Sequence, residues 1–175
     1  MNDPKIVFTG TPGAGKTTAI RAISDIEPVS TDVANTDARL GKATTTVGLD
    51  YGHVDLGEGL RVRLFGTPGQ ARFDFMWSII GRQALGLLIL IDNSRPDPLA
   101  DLRLYLDHFG DGIHEMNCAI GVGRTEIHPV PALDAFGDLL ESRGLAFPTL
   151  AVDVRRRDDV LLLIETILAQ AECRP

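Results

Sequence analysis

Cysteine is scarce in this chain. Cys118 and Cys173 are the two among 175 residues, far apart and outside any C-x-x-C spacing, which argues against a disulfide framework and a zinc knuckle. The expected compartment is a reducing cytoplasm. Basic residues are short as well. Lys and Arg total 17 against 24 Asp and Glu, a formal net charge of −7, and no stretch gathers enough of them to neutralise a phosphate backbone. Nucleic acid and anionic membranes are therefore not expected partners. Long apolar runs are missing too: the longest, Ala84 to Ile91, falls well short of the about 20 residues that span a bilayer and reads as a buried strand. Met1-Asn2-Asp3-Pro4-Lys5 has neither a basic lead-in nor a cleavage-type site, so no secretory leader is expected. Asn2 does not fit a myristoylation signal and Cys173-Arg174-Pro175 misses the prenylation box, so no membrane anchor is expected either.

What is there fits one globular domain over residues 1–175, with 44% hydrophobic and 23% charged residues and no repeat, low-complexity tract or linker. Ile6 to Thr9 is a β-prone run ending at Gly10, and Lys16 to Ile26 carries Ile20, Ile23 and Ile26 at helical spacing. Glu27 to Ala43 loses periodicity and reads as a long loop. Val47 to Asp55 and Leu60 to Phe65 flank Leu56-Gly57-Glu58-Gly59 and predict an antiparallel hairpin. Further helices are expected over Gln70 to Gln83, Asp97 to Phe109, Pro131 to Ser142 and Asp158 to Ala169. Further strands are expected at Ala84 to Ile91, Cys118 to Val122 and Phe147 to Val152. The tally is about six strands and about five helices. This alternation predicts an α/β fold, a mostly parallel six-stranded sheet covered on both faces with one antiparallel edge strand.

Gly10-Thr11-Pro12-Gly13-Ala14-Gly15-Lys16-Thr17 matches the phosphate-binding loop G-x-x-x-x-G-K-[ST] and sits between a predicted strand and a predicted helix, as its mechanism requires. The glycines let backbone N–H groups face a phosphate and the helix N-terminus adds partial positive charge. Lys16 would reach the terminal phosphates and Thr17 would ligate Mg²⁺. The expected nucleotide contacts here are Gly10, Pro12, Gly13, Ala14, Gly15, Lys16, Thr17 and Thr18. Gly66-Thr67-Pro68-Gly69-Gln70 follows the hairpin, where the Gly69 amide would meet a γ-phosphate and Gln70 would orient an attacking water.

With these two segments the chain resembles Ras-like small GTPases. Leu64-Phe65-Gly66-Thr67-Pro68-Gly69-Gln70, Arg72-Phe73 and Phe75-Met76-Trp77 are similar to a bacterial branch found in conservon-like operons beside roadblock proteins. The family reads DxxGQ after this strand, and Gly66 stands at its Asp position. The resemblance implies a Mg²⁺-dependent GTP/GDP switch in which GTP orders Glu27 to Val47 and Gly66 to Trp77. Gln70 and Lys16 would be the catalytic residues, and the resemblance assigns Thr46, preferred over Thr45, as a second metal ligand. Arg39 or Lys42 would be an internal finger, though both also read as plain loop charges. Gly123-Arg124-Thr125-Glu126 stands where the family reads guanine with NKxD, so Glu126 would accept from the base and Arg124 would lie over it. Asp153-Val154-Arg155 stands at a backbone contact to the base, with Val154 and Arg155 as its candidates. The implied partner is a regulatory or effector protein, for example of roadblock type, and the implied state a monomer or weak dimer. Asp92, closing an apolar strand, supports the rival reading of a P-loop ATPase or kinase that uses it as its magnesium carboxylate. A nucleotide-binding interaction protein without turnover is a third reading.

Overall fold

The computed structural model describes residues 3–30, 49–68 and 83–173. In chain order these form β1 (Lys5–Gly10), α1 (Lys16–Ile23), β2 (Val29–Ser30), β3 (Asp50–Asp55), β4 (Arg61–Gly66), β5 (Gly86–Asp92) and α2 (Pro98–Phe109). A 3₁₀ turn (Gly110–Glu115), β6 (Cys118–Gly123), α3 (Leu133–Glu141), β7 (Thr149–Ala151) and α4 (Arg157–Cys173) follow. The fold is α/β, as expected from the alternation of periods.

One sheet runs β2-β3-β4-β1-β5-β6-β7. β1 pairs in parallel with both β4 and β5, and β5–β6 and β6–β7 are parallel too. β3 is antiparallel to β4, with Asp50 opposite Gly66 and Asp55 opposite Arg61, so the hairpin is borne out. All seven residues of β5 are buried, whereas β3 and β4 alternate buried with partly covered positions. That is the difference between a strand covered on both faces and one near an edge. Alternation along β1 and β5 divides the core. Ile6, Phe8, Leu88 and Leu90 face Ile20 and Ile23 of α1 and Leu163, Ile164 and Ile167 of α4. Val7, Leu87, Ile89 and Ile91 face Leu102, Tyr105 and Leu106 of α2 and Phe136 and Leu140 of α3.

The departures from expectation are local. The sheet has seven strands because Val29–Ser30, inside the supposed loop, pairs with Tyr51 and Asp50. Helix α1 stops at Ile23, not Ile26. Ser24 is extended and its hydroxyl donates to Ile26 O at 2.8 Å, a side-chain turn that competes with the next helical turn. Helix α3 starts at Leu133 and not Pro131, whose carbonyl is taken by Asn93 Nδ2 at 3.0 Å. Helix α4 runs on to Cys173, where Gln170 leaves the apolar pattern to exchange bonds with Cys118 N (3.2 Å) and O (3.0 Å). Of the expected helix over Gln70 to Gln83, residues 70–82 lie outside the described ones. Four α-helices are therefore seen among the described residues. No helix among them is long and apolar enough to cross a membrane.

Candidate functional site

The strand order reverses at β1, which has β4 on one side and β5 on the other. Crevices form at the carboxyl ends of the strands at such a point. β1 ends there in Gly10, and the octet turns into α1 through Gly15, whose φ of +92° is a left-handed conformation that suits glycine. Space demands glycine as well: a Cβ on Gly15 would lie 2.7 Å from Val154 Cγ2. α1 has no side-chain cap and no acidic residue in its first turn. By contrast, α2 is capped by Asp97, which accepts from Ala100 N at 2.8 Å, and carries Asp101 in its first turn. The start of α1 thus keeps unsatisfied N–H donors and positive dipole for an anion.

Lys16 is only 9% exposed. Its ammonium donates to Gly10 O at 2.6 Å and Thr11 O at 2.9 Å, lying across the loop it closes. Burial pushes its pKa down to about 8, while the Asp50 carboxylate pulls the other way. The Thr17 hydroxyl donates to Asp50 Oδ2. Behind the loop, Thr67 ties the end of β4 to β1, donating from N to Phe8 O at 2.9 Å and from Oγ1 to Thr9 Oγ1 at 3.0 Å.

A cleft of about 410 Å³ runs from this loop across the ends of β5, β6 and β7, within the usual range for small-ligand sites. Gly13, Ala14, Gly15 and Thr18 line it together with Arg124, Glu126, Val154 and Arg155, Val154 standing against Gly15. Residues far apart in sequence and expected to bind one ligand therefore border one space. Arg124 does not lie loose in it. Its guanidinium makes an ion pair with Asp92, and Asp92 Oδ1 also accepts from Ser94 N (2.9 Å) and Oγ (2.6 Å). Burial alone would raise the Asp92 pKa, but the Ser94 and Arg124 bonds outweigh it and hold it below the usual value. Asp153 accepts from Arg155 Nε at 2.8 Å and Nη2 at 2.7 Å. These bonds bring its pKa down to about 2 and hold the Arg155 head at the rim.

Two residues that sequence reasoning passed over matter here. One is Asp50, which accepts the Thr17 hydroxyl. Asn93, 2% exposed, donates from Nδ2 to His128 O (2.6 Å) and Pro131 O (3.0 Å), and from N to Gly123 O (3.1 Å), stapling the Arg124–Pro131 segment to the end of β5. Its polar identity beside Asp92 was the signal available. Thr45, Thr46, Arg39, Lys42, Gly69, Gln70, Phe73, Met76 and Trp77 lie outside the described residues.

No family model matches the chain. An uncharacterized protein of Methanocaldococcus jannaschii is 28% identical over 97 residues, a match that spans 54% of this chain and 54% of that relative. The chain thus covers about half the length of the curated relative it matches, and that relative's name carries no activity.

Proposed function

We propose that this chain is a guanine-nucleotide switch similar to Ras-like small GTPases, binding GTP with Mg²⁺ and hydrolysing it slowly to GDP. The observation that carries this reading is the single cleft shared by the phosphate loop and the Arg124–Glu126 and Val154–Arg155 segments. Phosphates would lie over the Gly13 to Thr18 backbone with Lys16 beneath them, and the base would lie between the Arg124 stem and Val154–Arg155. The Thr17 hydroxyl, already bonded to a carboxylate, is an oxygen donor of the type Mg²⁺ takes. Thr17 would hold Mg²⁺ when it is bound, and the ion would offset the phosphate charge. From the resemblance, Thr46 would join Thr17 as a ligand, the Gly69 amide would meet the γ-phosphate, and Gln70 would orient the water. The switch output would be a changed surface for a regulatory partner, such as a roadblock-type protein.

The ATPase or kinase reading needs Asp92 at the magnesium site. Asp92 is instead bonded to Ser94 and Arg124, and the carboxylate at Thr17 is Asp50; this favours the switch.

Glu126 tests the base assignment. A carboxylate that accepts from guanine N–H groups would meet the lone pair of adenine N1 instead, so adenine is disfavoured by repulsion and by an unmade bond. In competition titrations with Mg²⁺, GTP is expected to bind more tightly than ATP, and Glu126→Ala to bring the two together chiefly by weakening GTP. Equal affinities in the unmodified protein would move the ATPase reading ahead.

A further inference from the structure

We propose that Asp50, on the strand next to β4, is the carboxylate that orients the cation site at Thr17, reaching it through the space left open by Gly66. The inference rests on the nucleotide reading above and deepens it. A threonine hydroxyl that gives a lone pair to a cation must send its proton to an acceptor, and that acceptor fixes the rotamer and raises the oxygen's donor strength. Asp50 is placed for this role: it is 6% exposed and accepts a hydrogen bond from Thr17 Oγ1 across 33 residues of sequence. Lys16, adjacent to Thr17, feels the same carboxylate. An anion so buried is costly unless opposite charge or donors surround it, and the phosphate loop supplies both.

The route is set by the sheet. Asp50 is paired with Gly66 in the antiparallel register of β3 and β4, and paired residues project to the same face. A Cβ on Gly66 would lie 3.1 Å from Asp50 Cβ, 3.1 Å from Asp50 Oδ2 and 3.0 Å from Ile20 Cδ1. The absence of a side chain on β4 and the presence of a carboxylate on β3 are thus one arrangement. A larger residue at 66 would displace the carboxylate from Thr17, and an Asp there would duplicate its charge.

The experiment is a Mg²⁺ titration of metal-stripped full-length protein with a fluorescent N-methylanthraniloyl GDP. Asp50→Asn keeps the shape and removes the charge. The Mg²⁺ concentration at half effect is expected to rise about 10- to 100-fold, the usual loss for a partner behind a metal ligand. Affinity for the GDP probe in EDTA should stay the same or tighten, because a negative charge beside the phosphates has gone. A merely structural role would weaken both alike, and that result, or an unchanged Mg²⁺ dependence, would overturn the proposal. The double variant Asp50→Gly, Gly66→Asp moves the carboxylate to the facing strand and should recover most of the Mg²⁺ response. If Asp50→Asn fails to fold, the double variant decides: a recovered response supports the proposal and a lost one overturns it. Failure of the unmodified protein to bind the GDP probe with or without Mg²⁺ would overturn the nucleotide reading, and this inference with it. That outcome is distinct from a bound probe indifferent to Asp50.

Discussion

Burying an ammonium group costs free energy, and Lys16 sits almost out of reach of water with two carbonyls and one nearby carboxylate for company. Its pKa, near 10.5 in an unfolded chain, falls to about 8 in the folded one. Between those values the unfolded state binds more protons, so stability must rise with pH across the window from about 8 to 10.5. The full penalty, on the order of 3 kcal/mol, applies below pH 8. In the nucleotide-free protein, Lys16→Met is therefore expected to be at its most favourable relative to the unmodified chain below pH 8, with the difference shrinking toward pH 10.5. Urea unfolding of both proteins across this range is the check, and parallel pH profiles would contradict it. The same variant should lose tight nucleotide binding, because the charge that costs stability is the one a phosphate needs. Lys16 was legible in the sequence because the octet is contiguous. Asp50 was not, since its meaning depends on a strand register that sets it against Gly66, and no local pattern carries that.

At the scale of elements, segment 124–131 is tied to the end of β5 by Asn93, beside the Arg124–Asp92 ion pair. Segment 124–131 has few bonds of its own: His128 N and Ile127 N both return to Arg124 O, at 2.9 and 3.2 Å. Ile127 and Val130 are 77% and 80% exposed, so apolar packing does little to fix it. The two Asn93 Nδ2 bonds provide much of the tie to the sheet. Asn93→Ala would leave two carbonyls without donors, at a cost of about 1–3 kcal/mol. Amide exchange at Ile127 and His128 is expected to speed up in that variant while β6 amides keep their protection. Equal exchange in both proteins would show that the loop holds itself. The strands and helices around this loop were legible because their periods are local: β5 is apolar throughout and α2 has its cap, proline and amphipathic face in one stretch. Where the reading missed an end, a polar side chain is engaged there: locally at Ser24 after α1, and over long sequence distances for Gln170 on Cys118 and Asn93 on Pro131. The two-residue β2 was too short to carry any period at all.

At the scale of the molecule, the sheet converts these separate placements into one site. β1 delivers the Gly10–Thr17 loop, β5 and β6 deliver Asp92 and Arg124, β7 delivers Val154 and Arg155, and β3 delivers Asp50 from the antiparallel side. A ligand that spans the cleft therefore touches segments joined to most of the sheet, and binding should be felt by the cooperative unfolding of the whole chain. For a ligand that binds only the folded form, about 100 times Kd adds about 2.7 kcal/mol of stability. For a chain of this length each kcal/mol raises Tm by about 2–4 °C. GDP or a slowly hydrolysed GTP analogue with Mg²⁺ at that concentration is thus expected to raise Tm by about 5–11 °C. ATP at the same concentration should give a smaller rise, because its base lacks the donors that Glu126 would accept from. Lys16→Met should show no rise with either nucleotide, which separates a specific site from general ionic effects on a chain of net charge −7. Differential scanning calorimetry with and without Mg²⁺ reads all of these together. A Tm indifferent to guanine nucleotide, or raised equally in Lys16→Met, would mean that the cleft is not a nucleotide site.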